Sequence, residues 1–120
     1  MKRFWLAAIL LAAPVLASAL ELKGARIESS DGKFLGIVGD RVQEDSVRNP
    51  FGTYGSRFNE LSIWNKFGKY GDKFSDSSAF NPLAAHPPKV FVKGEKEPYL
   101  LTVSTLSTRR VDPNTLKPAE

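Results

Sequence analysis

The chain has no cysteine, a single histidine, and no methionine beyond the first residue. Without thiols there is no disulfide, no thiolate metal ligand, no cysteine nucleophile, no redox pair and no lipid anchor on cysteine. Small secreted domains often lean on disulfides, so packing has to supply the stability here. The lone histidine, His86, falls short of the three or four protein ligands that zinc takes. The carboxylates are interleaved with Lys and Arg instead of clustered as in a calcium loop. No metal and no other cofactor is expected. A nucleophile elbow or other catalytic signature is missing around every serine, so no catalytic residue is assigned. A Ser-His-Asp hydrolase using His86 is arithmetically possible. Yet His86 stands in Ala84-Ala85-His86-Pro87-Pro88, in register with Tyr54 and Tyr70, a setting that suits packing.

An excess of one charge is missing too. The whole chain carries +4, but Lys2 and Arg3 belong to its first segment; beyond Ala19, 15 cationic residues face 13 acidic ones, a net charge of +2. No basic stripe and no nucleic-acid motif accompanies this balance, so nucleic acid is not an expected partner.

The one long apolar run lies at the start. Lys2 and Arg3 precede an apolar stretch from Phe4 to Val15, and Ala17-Ser18-Ala19 forms a small-residue A-x-A site. That order predicts a secretory signal peptide over residues 1–19, cleaved after Ala19. The run is shorter than the roughly 20 residues that span a bilayer, so no membrane anchor is expected after cleavage. The mature protein is expected in the periplasm or outside the cell. Residues 20–116 then form one small domain with a modest core, and residues 117–120 a flexible tail.

What the sequence does have is repetition. DSVRNPFGTYGSRFNE from Asp45 and LSIWNKFGKYGDKFSD from Leu61 are identical at seven of sixteen positions without a gap, and SSAFNPLAAHPPK from Ser77 is a partial third copy. Asn49, Asn65 and Asn81 share a column, as do Ser46, Ser62 and Ser78. Short polar side chains of this kind close turns on nearby backbone groups. Gly52 with Gly68, and Gly55 with Gly71, suit positive φ or close backbone approach. Glycine at this density argues against a long helix, since each costs about 1 kcal/mol relative to alanine; irregular turns are expected. Phe51, Phe67 and Leu83, Val47, Ile63 and Ala79, Tyr54 and Tyr70, and Phe58 and Phe74 make apolar columns. Nine of the eleven aromatics beyond the leader lie between Phe51 and Phe91. The repeat is therefore expected to build most of the core, these phenylalanines included.

The charges recur as well, with Glu44, Glu60 and Asp76 in one column and Arg57, Lys73 and Lys89 in another. Arg57 with Glu60, and Lys73 with Asp76, are neighbours if a helical turn capped by Asn59 or Ser75 forms there. They are read as a solvated ion-pair rim worth about 0–1 kcal/mol per pair.

Two hairpins flank the repeat. Arg26–Ser29 and Phe34–Val38 are joined by Ser30-Asp31-Gly32-Lys33, a strong hairpin signal. Lys89–Val92 turns through Gly94–Pro98 into a β-prone run from Tyr99 to Leu106. The hairpins resemble each other, Ile27 matching Val90 and Phe34-Leu35 matching Tyr99-Leu100, so hairpin plus repeat reads as a duplicated unit that stops after Leu116. The expected fold is mainly β with much irregular structure: a small antiparallel sheet from two hairpins, with the turn repeat packed on one face.

DGKFLG at Asp31–Gly36, NPFGTYGSRF at Asn49–Phe58, NKFGKYGDKF at Asn65–Phe74 and FNPLAAHPPKV at Phe80–Val90 resemble a functionally uncharacterised group of small exported bacterial proteins. Those proteins carry tandem N-P-[YF]-G-x-Y-G-S repeats between two related hairpins. The likeness covers nearly all of the mature chain and departs from the pattern at Lys66 and Asp72. It implies the same boundaries and no activity.

Three roles follow for weighing. Tyr54, Trp64 and Tyr70 are candidates for a partly exposed aromatic platform that binds cell-wall glycan or an envelope protein; the competing reading buries all three. A structural or self-associating envelope protein, packing through free hairpin edges, is the alternative. A small hydrolase using His86 is the third. The expectation is a non-enzymatic binding module.

Overall fold

The computed structural model describes residues 22–118. The leader over residues 1–19, its cleavage site and the end of the tail lie outside the described residues. The fold is mainly strand and irregular turn, without an α-helix among the described residues. No helix among them is long and apolar enough to cross a membrane.

Five short strands form one open sheet: β1 (Arg26–Glu28), β2 (Phe34–Ile37), β3 (Lys89–Phe91), β4 (Tyr99–Leu101) and β5 (Arg110–Val111), in the order β2-β1-β3-β4-β5. The two hairpins, β1–β2 and β3–β4, are antiparallel as their turn residues predict. Gly32 supplies the φ of +94° that the first turn requires, a conformation a Cβ would strain. The expected run to Leu106 ends at Leu101, and β5 joins β4 in parallel, which makes the sheet mixed.

A pseudo-twofold axis passes through its centre. β1 and β3 pair antiparallel with Ile27 opposite Val90, the residues the two hairpin sequences align. Each hairpin then takes a following segment in parallel along its second strand: Ile37 bridges Ser46 on one side, and Leu100 pairs with Arg110 on the other. Asp112 follows β5 directly. It opens a 3-10 turn (Pro113–Leu116) in which its carboxylate accepts from the Asn114 N–H and its carbonyl from the Thr115 N–H.

Between β2 and β3 the repeat runs as successive turns that pack against the sheet. One buried cluster unites Ile27, Leu35, Val90, Tyr99 and Leu101 of the strands with Val47, Ile63, Tyr70 and Ala79 of the repeat. Val47, Ile63 and Ala79 are each 0% exposed. The repeat thus contributes its aliphatic column and one tyrosine to the interior. The phenylalanine columns do the opposite of what their hydrophobicity predicts. Phe51 and Phe67 are 95% exposed, Phe58 85% and Phe74 87%.

Candidate functional site

Each turn of the repeat is built the same way. The Asn49, Asn65 and Asn81 side-chain oxygens accept the N–H two residues ahead, at Phe51, Phe67 and Leu83. Their carbonyls accept the N–H three residues ahead. Their side-chain amides donate back across six residues to the carbonyls of Gln43, Asn59 and Ser75, at 3.1, 3.2 and 3.0 Å. Ser46, Ser62 and Ser78, fully buried, accept from the N–H groups of Arg48, Trp64 and Phe80 in the same manner. No buried side-chain polar atom among the described residues lacks a partner, as a stable interior demands. Asn59 and Ser75 also cap turns, accepting from Leu61 and Ser77, but β-turns and not the helical turn expected there.

The glycine columns serve close approach. None of Gly52, Gly55, Gly68 and Gly71 has positive φ. A Cβ on Gly55 would collide with the Asn49 carbonyl, one on Gly71 with the Asn65 carbonyl, and one on Gly52 would come within 2.6 Å of the Glu44 carbonyl. These positions fold the chain tightly on itself.

Phe51 and Phe67 occupy the third position of the Asn-initiated turns, Phe58 and Phe74 the second residue after Ser56 and Asp72, whose oxygens hold their N–H groups. With Leu83 and Val42 they make two exposed columns at the sixteen-residue spacing, 42/58/74 and 51/67/83. Hydrophobicity alone predicts these phenylalanines in the core, because in a chain of turns it carries no inside-or-outside sign. For the column Phe51, Phe67 and Leu83 the available signal is its place at turn corners beside Pro50, Lys66 and Pro82.

The three platform candidates are not gathered on one exposed face. Tyr70 is 4% exposed and belongs to the core. Tyr54 is half-buried, edge-on to Phe34 at 5.1 Å between ring centroids. Trp64 is half-buried, tilted against Phe80 at 5.8 Å, and donates its indole N–H to the Val47 carbonyl at 2.6 Å. Its one polar group is therefore spent on the preceding copy.

His86 lies beside a shallow cleft of about 220 Å³ lined by Ser30, Asp31, Lys69, Ser77 and His86. Its Nδ1 is 2.7 Å from an Asp76 carboxylate oxygen, and Asp76 also accepts the Ala85 N–H at 2.7 Å. That backbone bond first, then His86, holds the Asp76 carboxyl below the ordinary carboxylate range. Asp31 is lowered chiefly by the Ser29 hydroxyl, with smaller help from its own backbone N–H and from Lys69 and Lys33. A triad needs a serine hydroxyl on the far nitrogen of the histidine; among the described residues, the only side-chain bond His86 makes is to Asp76. No group of three metal-binding side chains occurs among the described residues.

No protein-family model matches the chain, and neither the curated proteins nor the solved structures compared with it include a match.

Proposed function

We propose that the chain is an exported, non-enzymatic binding module of the bacterial cell envelope or the extracellular space, and that it engages its partner through the column Phe51, Phe67 and Leu83. The observation that carries this reading is the 95% exposure of both phenylalanines at equivalent stations of the repeat. Burying a phenylalanine side chain is worth about 1.5–3 kcal/mol, and the fold forgoes that gain twice over in the same column. An exposed apolar patch of this kind marks an interaction surface. The flanking residues at the turn corners are Pro50, Lys66 and Pro82 before, and Gly52, Gly68 and Ala84 after, so the column is nearly free of charge. It suits an apolar face: the ring faces of a cell-wall glycan, or an apolar patch on an envelope protein. Export rests on the leader sequence. The Trp64 indole is tied to the Val47 carbonyl and the Tyr54 ring is packed on Phe34, so neither is free to serve the partner.

The test is sedimentation of the mature protein with insoluble cell wall, and capture from detergent-solubilised envelope. The double variant Phe51→Ser/Phe67→Ser is expected to lose about tenfold or more of the retained fraction with unchanged circular dichroism. Undiminished retention of the variant in both arms contradicts the proposal.

A further inference from the structure

We infer that the second exposed column lies at an interface between two copies of this chain. This goes beyond the ligand reading and stands on other residues. Val42, Phe58 and Phe74 are 87, 85 and 87% exposed. Each follows a cation, Arg41, Arg57 or Lys73, and each precedes by two residues an acid, Glu44, Glu60 or Asp76; all six charged residues are exposed. Four consecutive residues span at most about 11 Å. The three columns therefore share one rim, and in each copy the order along the chain is positive, apolar, negative.

Charges at this spacing could have paired within the chain, as expected for Arg57 with Glu60. They do not. The ion pairs among the described residues are Arg26–Glu28, His86–Asp76 and Arg109–Glu95. Arg41, Arg57, Lys73, Glu44 and Glu60 take part in none of them. The Arg57 guanidinium instead lies over the Phe58 ring, 5.9 Å from its centroid.

A rim ordered this way is complementary to itself. A twofold axis lying in the interface, along the apolar column, lays apolar column on apolar column and sets each cationic column against the acidic column of the other copy. Arg57 of each copy then faces Glu60 of the other, Arg41 faces Glu44, and Lys73 faces Asp76. Other occupants fit less well. Three acids beside three cations repel an anionic membrane or a nucleic acid as strongly as they attract it, and a neutral glycan has no use for either stripe.

The experiment is sedimentation velocity on the mature protein over a range of concentration and salt, with Trp64 emission as the check on folding. The wild-type chain is expected to show a concentration-dependent dimer that weakens as salt rises. Phe58→Ser/Phe74→Ser is expected to raise the dissociation constant about tenfold or more. Arg41→Glu/Arg57→Glu and Glu44→Lys/Glu60→Lys should each be monomeric alone and dimeric when mixed, because each supplies the charges the other lacks. These exposed side chains make no hydrogen bond or ion pair among the described residues, so their variants test the interface even where the phenylalanine variant fails to fold. A wild-type chain that stays monomeric throughout, or a mixture that fails to restore the dimer, overturns the inference. Phe51→Ser/Phe67→Ser should leave dimerisation intact, so the ligand reading and the dimer fall separately.

Discussion

At Gly71 one added methyl group has nowhere to go. Its Cβ would stand 2.5 Å from the Ile63 carbonyl oxygen and nearer still to that of Asn65, both of them backbone. At Gly68 the nearest neighbour is the Asn65 side-chain amide at 3.1 Å, which can give way. Gly71→Ala is therefore expected to cost at least about 3 kcal/mol and Gly68→Ala about 1 kcal/mol or less, read from chemical denaturation followed by Trp64 emission. Equal costs would refute crowding as the reason for glycine. From sequence both positive φ and close approach are open at these columns, because only the path of the neighbouring backbone separates them. The Asn column was legible as a turn former. The return bond of its amide, six residues back, was not, since it depends on how one turn stacks on the last.

Successive copies are joined by side chains as well as by turns. Trp64 and Phe80 belong to one column and touch, while the Trp64 indole reaches back to Val47 in the copy before. Trp64→Phe keeps the ring contact and loses the hydrogen bond, an expected cost of about 1 kcal/mol. Trp64→Ala loses both and is expected to cost about 3 kcal/mol. Circular dichroism melts of the two variants check this; an Ala variant as stable as wild type would return Trp64 to the ligand platform. The hairpins could be read from Asp31-Gly32 and from the run around Gly94, where turn chemistry is local. The strand β5 could not, because two residues carry no periodicity and its parallel pairing is set by the rest of the sheet. The phenylalanine columns were misplaced for a related reason. A strand or helix has a period that tells one face from the other, and a string of turns has none.

For the whole molecule, the division of labour is the main result. Small and aliphatic columns of the repeat (Ser46, Ser62 and Ser78 with Val47, Ile63 and Ala79) join a pseudo-twofold sheet to make the interior, and Phe51, Phe58, Phe67 and Phe74 are left outside. Duplication of the hairpin was visible in sequence, but its consequence was not: the matching residues Ile27 and Val90 face each other across the axis. This arrangement separates what holds the fold from what the surface presents. The most direct test is the unfolding free energy of Phe51→Ser/Phe58→Ser/Phe67→Ser/Phe74→Ser, measured by denaturant titration at protein concentrations low enough to keep the chain monomeric. The account predicts a value within about 1 kcal/mol of wild type. A loss near the about 3–5 kcal/mol that each buried phenylalanine commands, summed to an unfolded chain, would contradict it.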